Sequence, residues 1–214
     1  MTEAFIRSQT VVSHAAIVPE IPLLLATEVT PLWQATEDFL ARHNMPPPYW
    51  AFAWPGSQAL ARLVLDTPGL VAGKRVLDFA AGGGLAGIAC ALRGALHVET
   101  AEIDPMAALV TRMNAALNGV TVEAGARDVV GEANRWDVVM AGDVFYESPM
   151  TNHILPWLTA LAEEGVEVLV ADPGRAYLPR DRLVPLGMHL VPTSLDLENQ
   201  RERIVTLYRL AASR

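Results

Sequence analysis

The chain has 214 residues, of which 51% are hydrophobic and 19% are charged, so it can form one α/β domain with a substantial core and is too apolar to be disordered. A formal net charge of −8 and a single lysine, Lys74, argue against a nucleic-acid substrate, because binding a phosphate backbone needs clustered basic residues. No uninterrupted apolar run is long enough to span a membrane, and the N-terminus lacks a secretory pattern. We therefore expect a cytoplasmic protein without a membrane partner.

The N-terminal residues are predicted to form an extension ahead of the main fold. Glu3–Arg7 predicts a short helix, and the proline-punctuated apolar segment Ser13–Leu25 predicts extended structure. Thr30-Pro31 is typical of a helix start, with a capping residue followed by proline at the first position. We interpret residues 1–45 as an extension or lid on a core that covers 46–214, the whole chain forming one domain.

The segment from Met45 to Ser57 is rich in prolines and aromatic residues and cannot form a regular helix. Its aromatic side chains are Tyr49, Trp50, Phe52 and Trp54. One interpretation is a hydrophobic plug that covers an edge of the sheet. The other is an aromatic wall of a binding site, with Trp54 facing the ligand, because ring faces stabilise cations.

A strand followed by a turn of small residues is the most informative local pattern. Residues 75–79 predict a buried strand, and residues 84–94 have the apolar spacing of a helix. Between them, Ala80, Gly82 and Gly84 predict a tight turn. This arrangement cradles nucleotides, because bare backbone approaches the ligand closely and the helix presents free N–H groups.

Carboxylates follow the next two predicted strands. Glu102 ends a strand at 97–102, about twenty residues after Gly82, where a carboxylate can accept hydrogen bonds from ribose hydroxyls in NAD or S-adenosylmethionine (SAM) sites. Asp104 is predicted to cap a helix over 105–118. Asp128 follows a strand at 120–124 and is either an acceptor for an adenine amino group or a solvated loop residue.

A fourth predicted strand at 136–142 leads directly into Asp143. Ligands of such sheets bind beyond the carboxyl ends of the strands, so Asp143 is expected beside the cofactor. There a carboxylate can aim an amine, and the ring of Tyr146 can pack against a lysine side chain. The alternative is that Asp143 caps the following helix, predicted at 149–164.

The remaining pattern predicts a Rossmann-like α/β fold: a seven-stranded, mostly parallel sheet with helices on both faces and a C-terminal antiparallel hairpin. The last elements are predicted as a strand at 166–171, a helix near 179–186, and strands at about 188–194 and 203–209 joined by a turn at Glu198–Arg201. Cys90 is expected to be a buried, inert thiol. The histidines and Cys90 lack metal-ligand spacing, and no metal is expected.

Three motifs resemble known families. The run from Asp78 to Gly84 resembles the D-x-G-x-G-x-G motif of class I SAM-dependent methyltransferases, with Ala80 in place of the first glycine. Asp143-x-x-Tyr146 is similar to the D-x-x-Y element of seven-β-strand protein lysine methyltransferases. The segment 49–60, with residues 102–105 and Asn114, is similar to the electron transfer flavoprotein β-subunit lysine methyltransferases.

The resemblance implies a monomeric SAM-dependent protein-lysine N-methyltransferase acting on the β-subunit of electron transfer flavoprotein. It implies that Asp143 and Tyr146 are catalytic, and that SAM is held by Trp54, Asp78, Ala80, Gly82, Gly84, Glu102, Asp128 and Asp143. Two alternatives remain open at this point. One is a small-molecule N-methyltransferase, and the other is a non-catalytic protein that keeps the fold to bind a partner.

Overall fold

The computed structural model describes residues 2–28, 30, 32 and 46–212. Its helices are α1 (Glu3–Gln9), α2 (Pro55–Asp66), α3 (Leu85–Leu92), α4 (Pro105–Leu117), α5 (Ser148–Glu163) and α6 (Leu195–Glu198). Its strands are β1 (Val11–Ala15), β2 (Val18–Leu25), β3 (Arg75–Phe79), β4 (His97–Glu102), β5 (Glu123–Ala126), β6 (Val138–Gly142), β7 (Glu167–Asp172), β8 (Leu183–Pro192) and β9 (Glu202–Leu210). The helix predicted from Thr30-Pro31 lies outside the described residues.

Seven strands form one sheet in the order β5-β4-β3-β6-β7-β9-β8. The five strands from β5 to β7 pair in parallel, whereas β9 is antiparallel to both β7 and β8. This confirms the predicted fold class, including the C-terminal antiparallel hairpin. Within the described residues, no helix is long and apolar enough to cross a membrane.

Alternate residues of the central strands enter two different cores. Val138 and Met140 of β6 pack with α2 and α3 on one face, whereas Val139 and Ala141 pack with α5 on the other. Both faces of β6 are therefore buried, because helices cover the sheet on both sides. All the carboxyl ends of the parallel strands lie at the same edge of this sandwich.

One predicted helix is wrong. Residues 179–186 do not form an α-helix; Arg180–Arg182 make a single 3-10 turn and the chain then enters β8. Pro185 lies inside this strand, next to an irregularity in the pairing with β9. Proline is tolerated there because β8 is an edge strand, and the missing N–H of an edge strand does not interrupt the hydrogen bonding between two interior strands. The connection between β8 and β9 is also longer than the predicted turn at Glu198–Arg201, because it starts after Pro192 and contains α6 (Leu195–Glu198).

The described part of the N-terminal extension packs against the main sheet's helices. The helix predicted at its start is confirmed as α1, and Ser13–Leu25 forms most of the β1–β2 hairpin. Ile21 and Leu23 of β2 are buried in the same core as α2 and α3. Whether a lid closes over the core stays a prediction, because residues 33–45 lie outside the described part.

Asn114 of α4 joins this hairpin to the small-residue turn after β3. Its side-chain amide donates to the carbonyl of Gly83 at 2.9 Å, and its side-chain oxygen accepts from the N–H of Leu24 at 2.8 Å. The side chain is fully buried, so no water can replace either bond. One buried amide therefore fixes the turn and β2 relative to each other.

Replacing Asn114 by alanine should destabilise the fold by roughly 2–5 kcal/mol, because two buried backbone groups lose their partners. The free energy of unfolding from urea denaturation measures the effect. Asn152→Ala is the matched control, since Asn152 is exposed and bonds only weakly to Ser148 at 3.3 Å. Equal stability of the two variants would show that the Asn114 bridge contributes little.

Candidate active site

A large cavity of about 960 Å³ lies at the carboxyl ends of the parallel strands. Its size fits the upper range of small-molecule and cofactor sites. The structure brings seven of the predicted site residues to its lining: Trp54, Ala80, Gly82, Glu102, Asp128, Asp143 and Tyr146. It does not bring Asp78 or Gly84 there.

The turn after β3 has an unusual backbone. Ala80, Gly82 and Gly84 all have positive φ angles, of 53°, 55° and 81°. A side chain at Gly84 would also place its Cβ 2.6 Å from Cγ2 of Thr111, so this glycine permits close packing of the turn on α4. Gly84 thus lets the turn pack against α4, while Gly82 faces the cavity.

Asp78 is buried beneath the same turn, with 3% of its surface exposed. Its carboxylate accepts from the N–H of Gly87 in the first turn of α3, at 2.7 Å. Burial raises the pKa of Asp78 to about 7, despite that hydrogen bond. Asp78 therefore accepts a hydrogen bond from a backbone N–H that has no partner within α3. Its direct contact with a cofactor stays a prediction.

Glu102 ends β4 and holds the glycine turn. Its carboxylate accepts from the N–H of Gly82 at 2.7 Å and from that of Ile103 at 3.2 Å. Burial raises the pKa of Glu102, with the two N–H groups acting against it. The side chain lines the cavity at the end of β4, where the sequence predicts the ribose acceptor.

Asp128 is paired with a residue that the sequence analysis did not connect to it. Its two carboxylate oxygens bond to the N–H of Val130 at 2.9 Å and to Nε2 of His153 at 2.7 Å. Burial favours a higher pKa for Asp128, but these two bonds outweigh it and lower the pKa. Both Asp128 and His153 line the cavity, so the predicted adenine contact would involve the pair.

The aromatic segment both packs into a core and lines the cavity, and contact of Trp54 with a ligand stays a prediction. Trp50 is buried against α4 as a plug. All four aromatic residues, Tyr49, Trp50, Phe52 and Trp54, contribute to the lining of the cavity. The indole N–H of Trp54 donates to the carbonyl of Tyr49 at 2.8 Å, and the rings of Tyr49 and Tyr146 lie 6.2 Å apart. The wall of the cavity therefore joins the segment to the predicted catalytic tyrosine.

Asp143 lies at the end of β6 in a left-handed backbone conformation, with φ of 58°. One carboxylate oxygen accepts from the N–H of Gly56 at 2.5 Å, in the first turn of α2. A Cβ at Gly56 would lie 2.5 Å from that oxygen, so only glycine allows the approach. The alternative that Asp143 caps the following helix is wrong, since α5 has Glu147 at its N-cap position.

Arg175 is another cavity residue that sequence reasoning missed. Its Nε and Nη2 donate to the other oxygen of Asp143 at 3.0 and 2.7 Å, and its guanidinium also bonds to Glu198. Burial raises the pKa of Asp143 to about 6, against the lowering influence of Arg175 and Gly56. Arg175 could have been found from its position just after β7, because ligands bind beyond the carboxyl ends of parallel strands and this loop follows such an end, as Asp143 does.

Two further sequence predictions are confirmed. Asp104 caps α4, accepting from the N–H of Met106 at 2.8 Å, and Cys90 is a buried free thiol. Across the described residues, no group of His, Cys, Asp and Glu side chains is arranged to hold a metal ion.

Known proteins similar to this chain include methyltransferases. The family profile described as ribosomal protein L11 methyltransferase (PrmA) matches residues 59–147. The chain is 37% identical over 196 residues to the electron transfer flavoprotein beta subunit lysine methyltransferase of Danio rerio, covering 88% of this chain and 75% of that protein. It is 34% identical over 203 residues to the protein of the same name from Xenopus laevis, covering 92% and 81%.

Solved structures show the same fold. The magnesium protoporphyrin IX methyltransferase of Synechocystis PCC 6803, solved with bound SAM, has a TM-score of 0.51 to this chain at 15% identity. The match covers 86% of this chain and 100% of that one. At this identity the likeness establishes the architecture alone.

The buried charge of Asp78 should make stability depend on pH in a defined direction. Because its folded pKa of about 7 exceeds the ordinary 3.8, the folded form loses stability as pH rises from about 4 to 7 and stays lower above that. Asp78→Asn keeps an acceptor for Gly87 without this penalty. The melting-temperature advantage of the variant should therefore grow between pH 4 and 7 and then level off. A constant difference would contradict the assignment.

Proposed function

The chain belongs to the electron transfer flavoprotein β-subunit lysine methyltransferase family, and we propose that it transfers methyl groups from SAM to a lysine of that β-subunit. The observation that carries the proposal is the convergence, in one cavity, of the glycine turn, the Glu102 carboxylate and the Asp143–Tyr146 pair.

The residues of the cavity fit SAM. Glu102 presents a half-buried carboxylate for ribose hydroxyls, and the open space above Gly82 has no atom nearer than 3.9 Å to a Cβ built there. Asp128 with His153 provides polar groups for an adenine ring, and Trp54 and Tyr49 offer ring faces to a positive sulfonium. When bound, SAM supplies the methyl group that a lysine nitrogen takes from its sulfur.

The protein's own contribution is to position and to shield. Asp143 is held on both oxygens and lines the cavity, so it offers a rigid acceptor to an incoming amine. Tyr146 is 42% exposed beside Tyr49 and can pack along the lysine side chain. Catalysis here depends on orientation, because displacement at a methyl carbon needs the nitrogen, carbon and sulfur in line.

A protein substrate suits the rim of this cavity. Tyr49, Tyr146 and Ile103 are exposed by 50%, 42% and 77%, respectively, and offer an apolar surface where a substrate chain could dock. The net charge of −8 favours a basic segment such as an exposed lysine. A reducing compartment such as the cytoplasm fits the buried free thiol of Cys90. The monomeric state stays a prediction.

The test of the proposal is incubation with labelled SAM and purified β-subunit, followed by mapping of the modified residue by mass spectrometry. We expect the label in one or a few lysines, and none in a β-subunit whose mapped lysines are changed to arginine. Labelling that appears only in the small-molecule fraction of a cell extract would favour a small-molecule N-methyltransferase instead.

Cofactor binding should depend on Glu102. Glu102→Ala should weaken SAM affinity by about 1–3 kcal/mol, because ribose hydroxyls lose a charged acceptor. Calorimetry with SAM measures this. Glu123→Ala is a suitable control, since Glu123 lies on β5 outside the cavity lining and contacts His97. Unchanged affinity of Glu102→Ala would remove the ribose assignment.

Methyl transfer should depend on the charge of Asp143. Asp143→Asn should lower the single-turnover rate about a hundredfold or more, since a misplacement of about 1 Å has that effect, while SAM affinity stays near wild type. Asp104→Asn is the matched control at the same cavity, because asparagine caps a helix as well as aspartate. A near-normal rate for Asp143→Asn would show that no charge is needed there.

A further inference from the structure

Asp143 belongs to a compact charged cluster that spans three elements of the C-terminal half. Its closest member is Arg175, whose guanidinium is held between the carboxylates of Asp143 and Glu198. The side chains of these three residues are 19% exposed for Arg175, 10% for Asp143 and 3% for Glu198. Arg175 therefore has little freedom to leave its partners.

The hydrogen bonds around Asp143 leave room for one more donor. One oxygen accepts two N–H groups of Arg175, and the other accepts the N–H of Gly56. A carboxylate oxygen can accept two hydrogen bonds, so the Gly56-bonded oxygen keeps one acceptor position. Because Asp143 and Arg175 both line the cavity, a substrate amine that reaches this position also meets the arginine charge.

The net charge of the cluster affects whether such an amine is protonated. Arg175, and Asp172 at the end of β7, act directly on Asp143. Beyond them, Glu198 on α6 pairs with Arg175, Arg203 on β9 contacts Glu198, and Arg180 acts on Asp172. Tyr146 lines the same cavity. Without Arg175, Asp143 would face the cavity as an unopposed buried carboxylate. Such a group retains a proton on a neighbouring amine, and a protonated amine has no lone pair with which to attack a methyl group.

We propose that Arg175 is a positioning residue of the methyl-transfer site: it holds Asp143 in place and balances its charge, so that the substrate lysine is presented as a neutral amine. The inference rests on the proposed function. In the step itself, the ammonium loses its proton to solvent. The nitrogen lone pair then forms a bond to the methyl carbon, and the sulfur keeps the electron pair of the broken carbon–sulfur bond.

The discriminating variant is Arg175→Gln, which removes the charge and keeps an N–H donor near the position of the arginine Nε. Without the positive charge of residue 175, the Asp143 carboxylate and the substrate amine would together bind their shared proton more tightly. We expect the acid limb of the single-turnover pH–rate profile, at saturating β-subunit and SAM, to move up by about one pH unit, giving an approximately tenfold lower rate at pH 7. The rate should recover at high pH, and KM for the β-subunit should stay equal or fall. A merely structural role would lower the rate at every pH.

Two companion variants sharpen the comparison. Arg175→Lys keeps the charge but loses the two-pronged contact, so its acid limb should stay in place while the rate falls at all pH values. Arg203→Gln removes a positive charge from the far side of Glu198, 3.4 Å away, without touching Asp143, and should leave the profile unchanged. An unmoved limb in Arg175→Gln, or an equal shift in either companion, would overturn the proposal.

A readout without turnover completes the test. The carboxyl carbon of Asp143, followed by ¹³C NMR in the absence of SAM and substrate, should titrate at higher pH in Arg175→Gln than in the wild type. No change in that titration would also overturn the proposal. Failure of wild-type enzyme to methylate the β-subunit would count against the proposed function alone, since the NMR comparison does not use the reaction.

Discussion

The interaction on which the site depends is the pairing of strand-end carboxylates with backbone N–H groups at helix starts. Asp78 accepts from Gly87 in α3, Asp104 from Met106 in α4, and Asp143 from Gly56 in α2. The first N–H groups of a helix have no partner within it, and a negative side chain satisfies one of them and favours the helix dipole. In a parallel sheet these contacts collect at one edge, so two of the three carboxylates, Asp104 and Asp143, also line the cavity.

Burial shifts the titration of Asp78 and Asp143. The pKa of Asp78 is raised to about 7 and that of Asp143 to about 6, in each case chiefly because the charged form is removed from water. The two differ in their neighbours. Asp78 has the Gly87 N–H as its hydrogen-bond donor and serves the fold, whereas Asp143 has a full positive charge beside it and faces the cavity. Similar acids at neighbouring strand ends thus differ in their partners and in their access to the cavity because their surroundings differ.

The N-terminal hairpin and the aromatic segment complete the cavity from outside the sheet. Asn114 bonds both the glycine turn and β2, and Leu23 of the same strand lines the cavity. Gly83 packs so closely that a Cβ there would lie 3.1 Å from the carbonyl of Trp50. Residues that precede the methyltransferase fold in the chain are therefore part of the wall around its binding site.

Much of the fold follows from local pattern. Strand, small-residue turn and helix at 75–92, the carboxylates at Glu102 and Asp143, and the antiparallel end of the sheet were predictable because apolar periodicity and strand-end positions are properties of neighbouring residues. The error at 179–186 arose because an edge strand that contains Pro185 is allowed by its place in the sheet, which no short window reveals.

Only the tertiary structure decided which partners each side chain has. Gly56 and Arg175 are distant from Asp143 in sequence, by 87 and 32 residues, and His153 is 25 residues from Asp128. Their pairing depends on which strands are neighbours and where each loop returns. The sequence by itself therefore determined many of the residues that reach the cavity, such as Glu102 and Asp143, whereas folding determined which charges are balanced there, because electrostatic interactions depend on distance in space and on burial.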